Sequence, residues 1–538
     1  MLFLNSRIRE ENTTHGSKSA QQRRTVVVGA LLLVVLSLAA ACSSTDPTPT
    51  SVPPTATATV APEPTATATP EPTPVEVVSL IGGDPDFDLN TMIWQGYWLS
   101  RDHFGPFVMG SGMGIPFALP MDTMMGAMSM VAQNEKDMAM IPQNMLPLQA
   151  VFVSGASDLA NDPRDFDPMD FEGLRLVPST FDETVGVRAQ AFTMLKESQW
   201  AHTFSSAHFG NPTDDFGAQQ RFMGVMVNML AQMQGRYAME NLMGNGGLYH
   251  DSDGELDYTG NWVMLHALSD IAGLATEGRY ANPDMAPIFD SAASGLLGAL
   301  ESRIPDSPQE AATAVRALIY RASTTSDAAI RDNALTIARS ITDLQLSEFE
   351  SDDLIDNAAA IVGLIAMSAV DDSALYRDAA QRLYQKLSTD FDAAHGVFES
   401  RSIYNVDDVA WIIGSLNSLL QKGNSESMDA AGAMLLAFYE STISLAGMQL
   451  SAPPGKNGAM IAEFEKNLPS VLYYHPADTP PPPMVGKLTV PAEEIQWDGS
   501  SWQVTSDRFS TAGAMHLANE LNWLGPHLGS IPFPEIEG

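Results

Sequence analysis

Acidic and aromatic residues stand together just before three apolar stretches of this 538-residue chain. Pairs of carboxylates divide the acid and base roles in glycosidic bond hydrolysis, and aromatic side chains supply flat faces for sugar rings. The sequence therefore predicts a cleft that binds or processes a carbohydrate. The predicted catalytic residues are Asp407, Asp408, Asp353 and Asp257, and the predicted substrate-binding residues are Trp411, Trp262, Tyr404 and His250.

The same acids also have a structural interpretation. An Asp directly before an apolar helical run is a preferred N-cap, because its side-chain oxygen accepts hydrogen bonds from unpaired backbone N–H groups. Residues 307–310 (Ser-Pro-Gln-Glu) show this use as a capping box with proline at the first helical position. Under this alternative the chain is a non-catalytic binding or scaffold protein for a peptide, a protein or an apolar ligand.

Residues 251–257 place four carboxylates around Gly254. Calcium favours such an oxygen-rich, tightly turned segment, so Asp251, Asp253 and Asp257 are the predicted ligands of a noncanonical calcium site. The segment does not fit the EF-hand template, because the first and twelfth loop positions lack a carboxylate. An acidic, solvated turn is the alternative interpretation.

Methionine is unusually frequent, with 29 residues, and it is concentrated within residues 121–130. Thioethers are soft ligands that suit copper, so copper handling is a third functional hypothesis, with His103 as a further ligand. Four of these methionines are spaced as i, i+3, i+4 and i+7, which instead favours the buried stripe of an ordinary helix.

The single cysteine, Cys42, follows an apolar run that begins behind Arg23 and Arg24. The run is shorter than the roughly 20 residues that a spanning helix needs, which favours a cleaved export signal over residues 1–41. Residues 38–42 (Leu-Ala-Ala-Ala-Cys) resemble the lipobox of bacterial lipoproteins. The resemblance implies a lipidated Cys42 and anchoring to the outer face of a bacterial cell membrane. A soluble secreted protein and an uncleaved anchor are the alternatives.

Composition and motifs indicate a separate segment before the main domain and disfavour some partners and reactions. Residues 42–77 are rich in Thr and Pro and are predicted to form a disordered stalk near the polyproline II conformation. The net charge of −37 disfavours nucleic acid as a partner. The sequence has neither a Gly-x-Ser-x-Gly elbow nor a Walker-type loop, which disfavours serine-hydrolase and nucleotide chemistry.

Residues 78–538 are predicted to form a mostly helical domain, in which residues 78–186 are either a distinct Met-rich part or the first hairpins of one array. Four consecutive segments each show an Ala/Leu/Ile-rich helix, a short turn and a second, amphipathic helix. Each second helix carries an Asp-centred phrase, and these phrases repeat about every 46 residues. The aspartates are Asp290, Asp332, Asp378 and Asp429.

This arrangement of paired helices resembles the six-hairpin α/α-toroid superfamily, which includes glycosidases, polysaccharide lyases and sugar epimerases. Gly-aromatic turns at residues 246–249 and 395–398 precede two of the more apolar helices. The resemblance implies an all-α fold of about six helical hairpins, with a cleft built from the loops that lead into the inner helices. A solenoid of helical hairpins and an irregular helical bundle are the alternatives.

Further elements are predicted outside the four repeats. Helices are expected over residues 121–133, 187–200, 216–243 and 511–524, and minor strands near the C-terminus over residues 487–490 and 501–504. Residues 105–120 are rich in Gly and Pro and are predicted to form a loop, either a cover over the cleft or a plain connection.

Overall fold

The computed structural model describes Gly83 and residues 87–117, 144–161, 171–205, 215–276, 282–348, 351–450 and 486–525. All of these residues belong to one compact unit, which comprises Pro72–Leu119 and Val131–Gly538. The predicted export signal, Cys42, the stalk and the helix at residues 121–133 lie outside the described residues.

Twelve α-helices and nine short strands occur among the described residues. The helices are α1 (Leu89–Gly110), α2 (Val187–Ser205), α3 (Asp215–Asn241), α4 (Tyr258–Thr276), α5 (Ala286–Leu300), α6 (Pro308–Thr324), α7 (Ala328–Glu348), α8 (Leu354–Asp371), α9 (Ala374–Asp390), α10 (Val406–Lys422), α11 (Ser425–Tyr439) and α12 (Thr511–Asn522). The described part of the chain is therefore mostly helical, which confirms the predicted all-α class with minor β elements.

The helices fall into two sets of six. The first set, called the inner helices here, comprises α2, α4, α6, α8, α10 and α12, and each packs against the next in chain order, while α12 also packs against α2. Each of the others, the outer helices, packs mainly against one inner helix: α3 against α2, α5 against α4, α7 against α6, α9 against α8, α11 against α10 and α1 against α12.

The apolar pattern of each helix explains whether it is an inner or an outer helix. The inner helix α8 buries fourteen of its 18 residues, whereas the outer helix α9 buries five of 17. A helix that is apolar nearly all round belongs in a core, and an amphipathic helix turns one face to solvent. Among the described helices only α8 is long and apolar enough to span a membrane, and 78% of its apolar window is buried, as in a core helix.

The inner helices begin at the same end of the unit. Polar contacts join the first turns of neighbouring inner helices, or the residues just before them. The contacts are Arg188 with Asp257, Trp262 with Glu310, Arg401 with Asp353, and Asp407 with His516. The inner helices joined by these contacts therefore run parallel to one another, with their N-termini at one end.

Helix α1 contradicts part of the loop predicted at residues 105–120. It continues to Gly110 with Pro106 inside the helix. Proline normally interrupts a helix, because it lacks an N–H and its ring clashes with the preceding turn. Here Phe107 is fully buried and packs on Phe509 with ring centroids 4.8 Å apart, so tertiary packing holds the helix across the proline.

The strands are short and all pair antiparallel. They are β1 (Gly114–Pro116), β2 (Leu148–Val151), β3 (Ser154–Ala156), β4 (Phe391–Asp392), β5 (Val397–Phe398), β6 (Ile403–Asn405), β7 (Glu494–Trp497), β8 (Trp502–Ser506) and β9 (Arg508–Ser510). The pairs are β1 with β2, β3 with β9 and β4 with β5, and β6, β7 and β8 form a three-stranded sheet.

Of the two predicted C-terminal strands, only the second forms. Strand β8 covers most of residues 501–504. The prediction at residues 487–490 is wrong, because the N–H of Val490 donates to the carbonyl of Leu488 and turns the backbone there. Lys487 itself makes only an isolated bridge to Asp158.

Candidate functional site

A small, partly open cavity lies between five of the inner helices, α2, α4, α6, α10 and α12. Its volume of about 30 Å³ has room for roughly two water molecules. The side chains in its lining that carry a charge or a polar ring are His266, Arg316, Trp411, His516 and Glu520. Since these groups come from four different helices, the relative positions of the inner helices define the site.

Asp407 and His516 form a hydrogen-bonded pair at the end of the cavity where the inner helices begin. The Nδ1 atom of His516 lies 2.7 Å from Oδ1 of Asp407. His516 is 3% exposed and lines the cavity, whereas Asp407 is 42% exposed. The pair therefore connects the cavity with the protein surface. A carboxylate at Nδ1 orients the imidazole and leaves Nε2 as the atom available for proton transfer.

The charges around the pair keep Asp407 ionised. Burial alone would raise the pKa of Asp407, but its contact with His516 and the charge of Arg188 outweigh burial and lower that pKa. On the other side of the ring, Nε2 of His516 lies 3.7 Å from Glu520 Oε1, which is 2.5 Å from Arg316. His516 thus has a carboxylate near each nitrogen, an arrangement that suits a group that takes up and releases a proton.

Two aromatic rings fix the orientation of His516. Phe192 stacks on the imidazole with centroids 4.8 Å apart and an interplanar angle of 20°. Trp411 meets it edge-on, also at 4.8 Å, and the Trp411 side chain contributes to the lowered pKa of Asp407. Trp411 is only 4% exposed, so it supports the pair rather than offering a free face to a sugar.

The other predicted catalytic acids are bonded at helix starts. Asp408 and Asn405 form a capping box at the start of α10, and Asp408 also accepts a hydrogen bond of 2.6 Å from Arg401. Asp353 is the N-cap of α8 and accepts from two backbone N–H groups. Asp257 accepts two hydrogen bonds from Arg188, of 2.7 and 2.8 Å. Of the four predicted acids, only Asp407 contacts a residue that lines the cavity.

The predicted binding residues are also dispersed. Trp262 is fully buried and donates to Glu310 over 3.3 Å. Tyr404 is fully buried, and its hydroxyl accepts from the N–H of Phe398. His250 lies in the loop before α4, with Nδ1 3.3 Å from the carbonyl of Gly254. The structure therefore places only Trp411, of the four, in the cavity lining.

The three predicted calcium ligands bond to protein groups. Asp251 accepts from the N–H of Val187 over 2.6 Å, Asp253 accepts from the N–H of Glu255, and Asp257 pairs with Arg188. Within the described ranges, no group of three or more His, Cys, Asp and Glu side chains has an arrangement that could hold a metal ion.

The predicted copper ligands lie apart from the cavity or outside the described residues. His103 is fully buried in α1, and its Nε2 lies 2.5 Å from Oε1 of Gln449. The methionines at residues 121–130 belong to a segment that the structure does not describe. Met92 and Met113 are buried and contribute to the core.

Sequence reasoning missed His266, Arg316, His516 and Glu520. None of the ten histidines stands in a metal-ligand spacing, so the sequence gives no reason to single one out. The one signal present was the i, i+4 spacing of His516 and Glu520 on the predicted C-terminal helix. The partner of His516, Asp407, is 109 residues away in the chain, so no local pattern joins the pair.

The Asp407–His516 pair and the cavity carry the functional argument. No family model and no curated protein sequence matches this chain.

Proposed function

We propose that the described helices form an α/α toroid of six hairpins. The packing order supports this proposal, because each inner helix contacts the next and α12 contacts α2. In an open solenoid each repeat contacts only its neighbours, so the first and last repeats lie apart. Helix α1 pairs with α12 and supplies the outer helix of the sixth hairpin.

We further propose that this toroid binds and processes a carbohydrate at the end of the cavity where Asp407 and His516 lie. The observation that carries the proposal is the oriented imidazole of His516 between the exposed Asp407 and the cavity. His516 accepts a proton from a substrate hydroxyl or C–H group and later returns it, while Asp407 stabilises the imidazolium. The chemistry is a proton transfer on the sugar.

Two-carboxylate hydrolysis fits this cavity less well. Such hydrolysis needs two carboxyl groups that are free to take the acid and base roles. Asp407 is bonded to His516, and Glu520 is paired with Arg316. A volume of about 30 Å³ also cannot enclose a sugar ring. The ring is therefore expected to lie at the opening, beside Asp407, with one substituent in the cavity.

A non-catalytic binding protein is the second candidate. It is favoured by the caps and ion pairs of Asp353, Asp408 and Asp257, which give these acids structural roles. Under this alternative the protein holds a saccharide or another ligand without changing it. Turnover separates the two candidates, because only the first requires His516 to exchange a proton with the ligand.

The test is a thermal-shift screen of the full chain against oligosaccharides, followed by a turnover assay for each one that binds. A ligand that binds only the folded state raises the melting temperature. Asp407→Asn and His516→Gln should lose the shift or the turnover, whereas Asp353→Ala, a cap variant away from the cavity, should keep both. Binding without turnover supports the second candidate, and a screen in which no saccharide shifts the melting temperature refutes both carbohydrate proposals.

We also propose that the export signal is cleaved before Cys42 and that the cysteine thiol carries lipid on the outer face of a bacterial membrane. The apolar run before Cys42 and the lipobox-like residues 38–42 support this. Labelling growing cells with an alkyne fatty acid should label the wild-type chain in the membrane fraction and leave Cys42→Ala unlabelled. An unlabelled wild-type chain would contradict the proposal.

A further inference from the structure

His266 occupies the inner part of the same cavity. It is 7% exposed, and it lies near the middle of α4, two helical turns from the helix start. The ring of Tyr320 packs against it, with centroids 4.4 Å apart. Among the described residues, Nε2 of His266 has no hydrogen-bond partner although it is buried. Buried polar atoms usually have a partner, and leaving one without a partner is unfavourable.

The charges near His266 indicate which ligand group fits. Burial is the main cause that lowers the pKa of His266 to about 3; the charge of Asp270 opposes this change, and the charge of Arg316 adds to it. The ring is therefore neutral at ordinary pH, with one nitrogen that donates and one that accepts. Arg316 disfavours a cationic group here, and the carboxylates of Asp270 and Glu520 disfavour an anionic one.

An uncharged hydroxyl meets these conditions, because it both donates and accepts hydrogen bonds. The cavity has room for a substituent of one or two heavy atoms, as judged from its volume of about 30 Å³. A hydroxyl or hydroxymethyl group fits this space when the sugar ring lies at the opening beside Asp407.

We propose that His266 is a positioning residue that hydrogen-bonds an uncharged hydroxyl of the saccharide at the inner end of the cavity. This inference rests on the proposed carbohydrate function and narrows the substrate class. The ligand presents a free hydroxyl or hydroxymethyl group at that point, rather than a carboxylate, an amine or an unsubstituted ring carbon.

The test compares a saccharide that binds the full wild-type chain with its monodeoxy analogues, by calorimetry. Wild type should bind one analogue at least fivefold more weakly than the parent sugar. His266→Leu should bind that analogue and the parent equally, and His266→Gln, which still donates and accepts, should recover part of the preference. Ser269→Ala is the matched control, because Ser269 is buried in the same helix and donates only to the carbonyl of Leu265.

The outcomes distinguish this inference from the proposed function. If His266→Leu keeps the full preference for the hydroxyl over the deoxy sugar, the inference is overturned while the carbohydrate function stands. If no saccharide binds wild type, both are overturned. A merely structural role for His266 would change stability and leave the ratio of the two affinities unchanged, so the ratio is the decisive measurement.

Discussion

Gly260 lies where the first turns of α2 and α4 pack closely, and its substitution tests this geometry. A Cβ atom added at Gly260 would lie 2.8 Å from the backbone nitrogen of Arg188 and 3.1 Å from its Cα. Backbone atoms cannot rotate away, so Gly260→Ala must push the two helices apart. Overpacking of this kind typically lowers the free energy of unfolding by about 1–3 kcal/mol. Alanine in place of glycine otherwise stabilises a helix by about 0.5–1 kcal/mol.

Gly295→Ala provides the control, because Gly295 lies in α5 and a Cβ there would have nothing within 4 Å. Gly260→Ala and Gly295→Ala both gain helix propensity, so this gain largely cancels when the two variants are compared. Gly260→Ala should therefore unfold about 1–3 kcal/mol more easily than Gly295→Ala. Urea unfolding of both variants measures the difference. If the two variants were equally stable, the close approach of α2 to α4 at this point would be refuted.

Two further changes test other parts of the structure. Asp353→Ala should lower the free energy of unfolding by about 1 kcal/mol, because the N-cap of α8 loses a side chain that accepts from two backbone N–H groups. Unchanged stability in urea unfolding would exclude this cap. Burial raises the pKa of Asp102 to about 8, although the charge of Arg101 opposes this change. Asp102 therefore holds a proton in the folded state that it releases in the unfolded state near pH 3.8. The stability of wild type should therefore fall relative to that of Asp102→Asn as pH rises from 5 to 8. The difference between the two should grow by up to about 4 kcal/mol over this range. Parallel stability curves for the two proteins would contradict the assignment.

The helical repeats were predictable because their apolar period is that of a helix and their turns are short. Predicted helices at residues 187–200, 216–243 and 511–524 correspond to α2, α3 and α12. Helix α1 was not predicted, because Gly105 and Pro106 favour a loop locally. Its stability comes from packing on α12, a segment that no local window contains.

The site was only partly predictable, for a similar reason. Two adjacent acids lie in the first turn of α10, and one of them completes a capping box with Asn405. The Asn-x-x-Asp spacing fits a capping box, but the sequence alone did not separate the two acids, and both were predicted as catalytic. It could not show that Asp407 meets His516, since that contact depends on how α10 and α12 pack.

The pairing of α1 with α12 has a consequence for how the chain folds. The hydrogen bond between Ser100 and Asn522 joins residues 422 positions apart. A loop about ten times longer than one repeat has an entropic cost of closure that is about 2 kcal/mol greater than that of a loop of one repeat. At about 5–20 residues per second, a ribosome needs roughly 20–80 s to reach the partner of α1 after making it. The face of α1 that packs on α12 stays uncovered throughout that time, so this face is open to aggregation while the chain is being made.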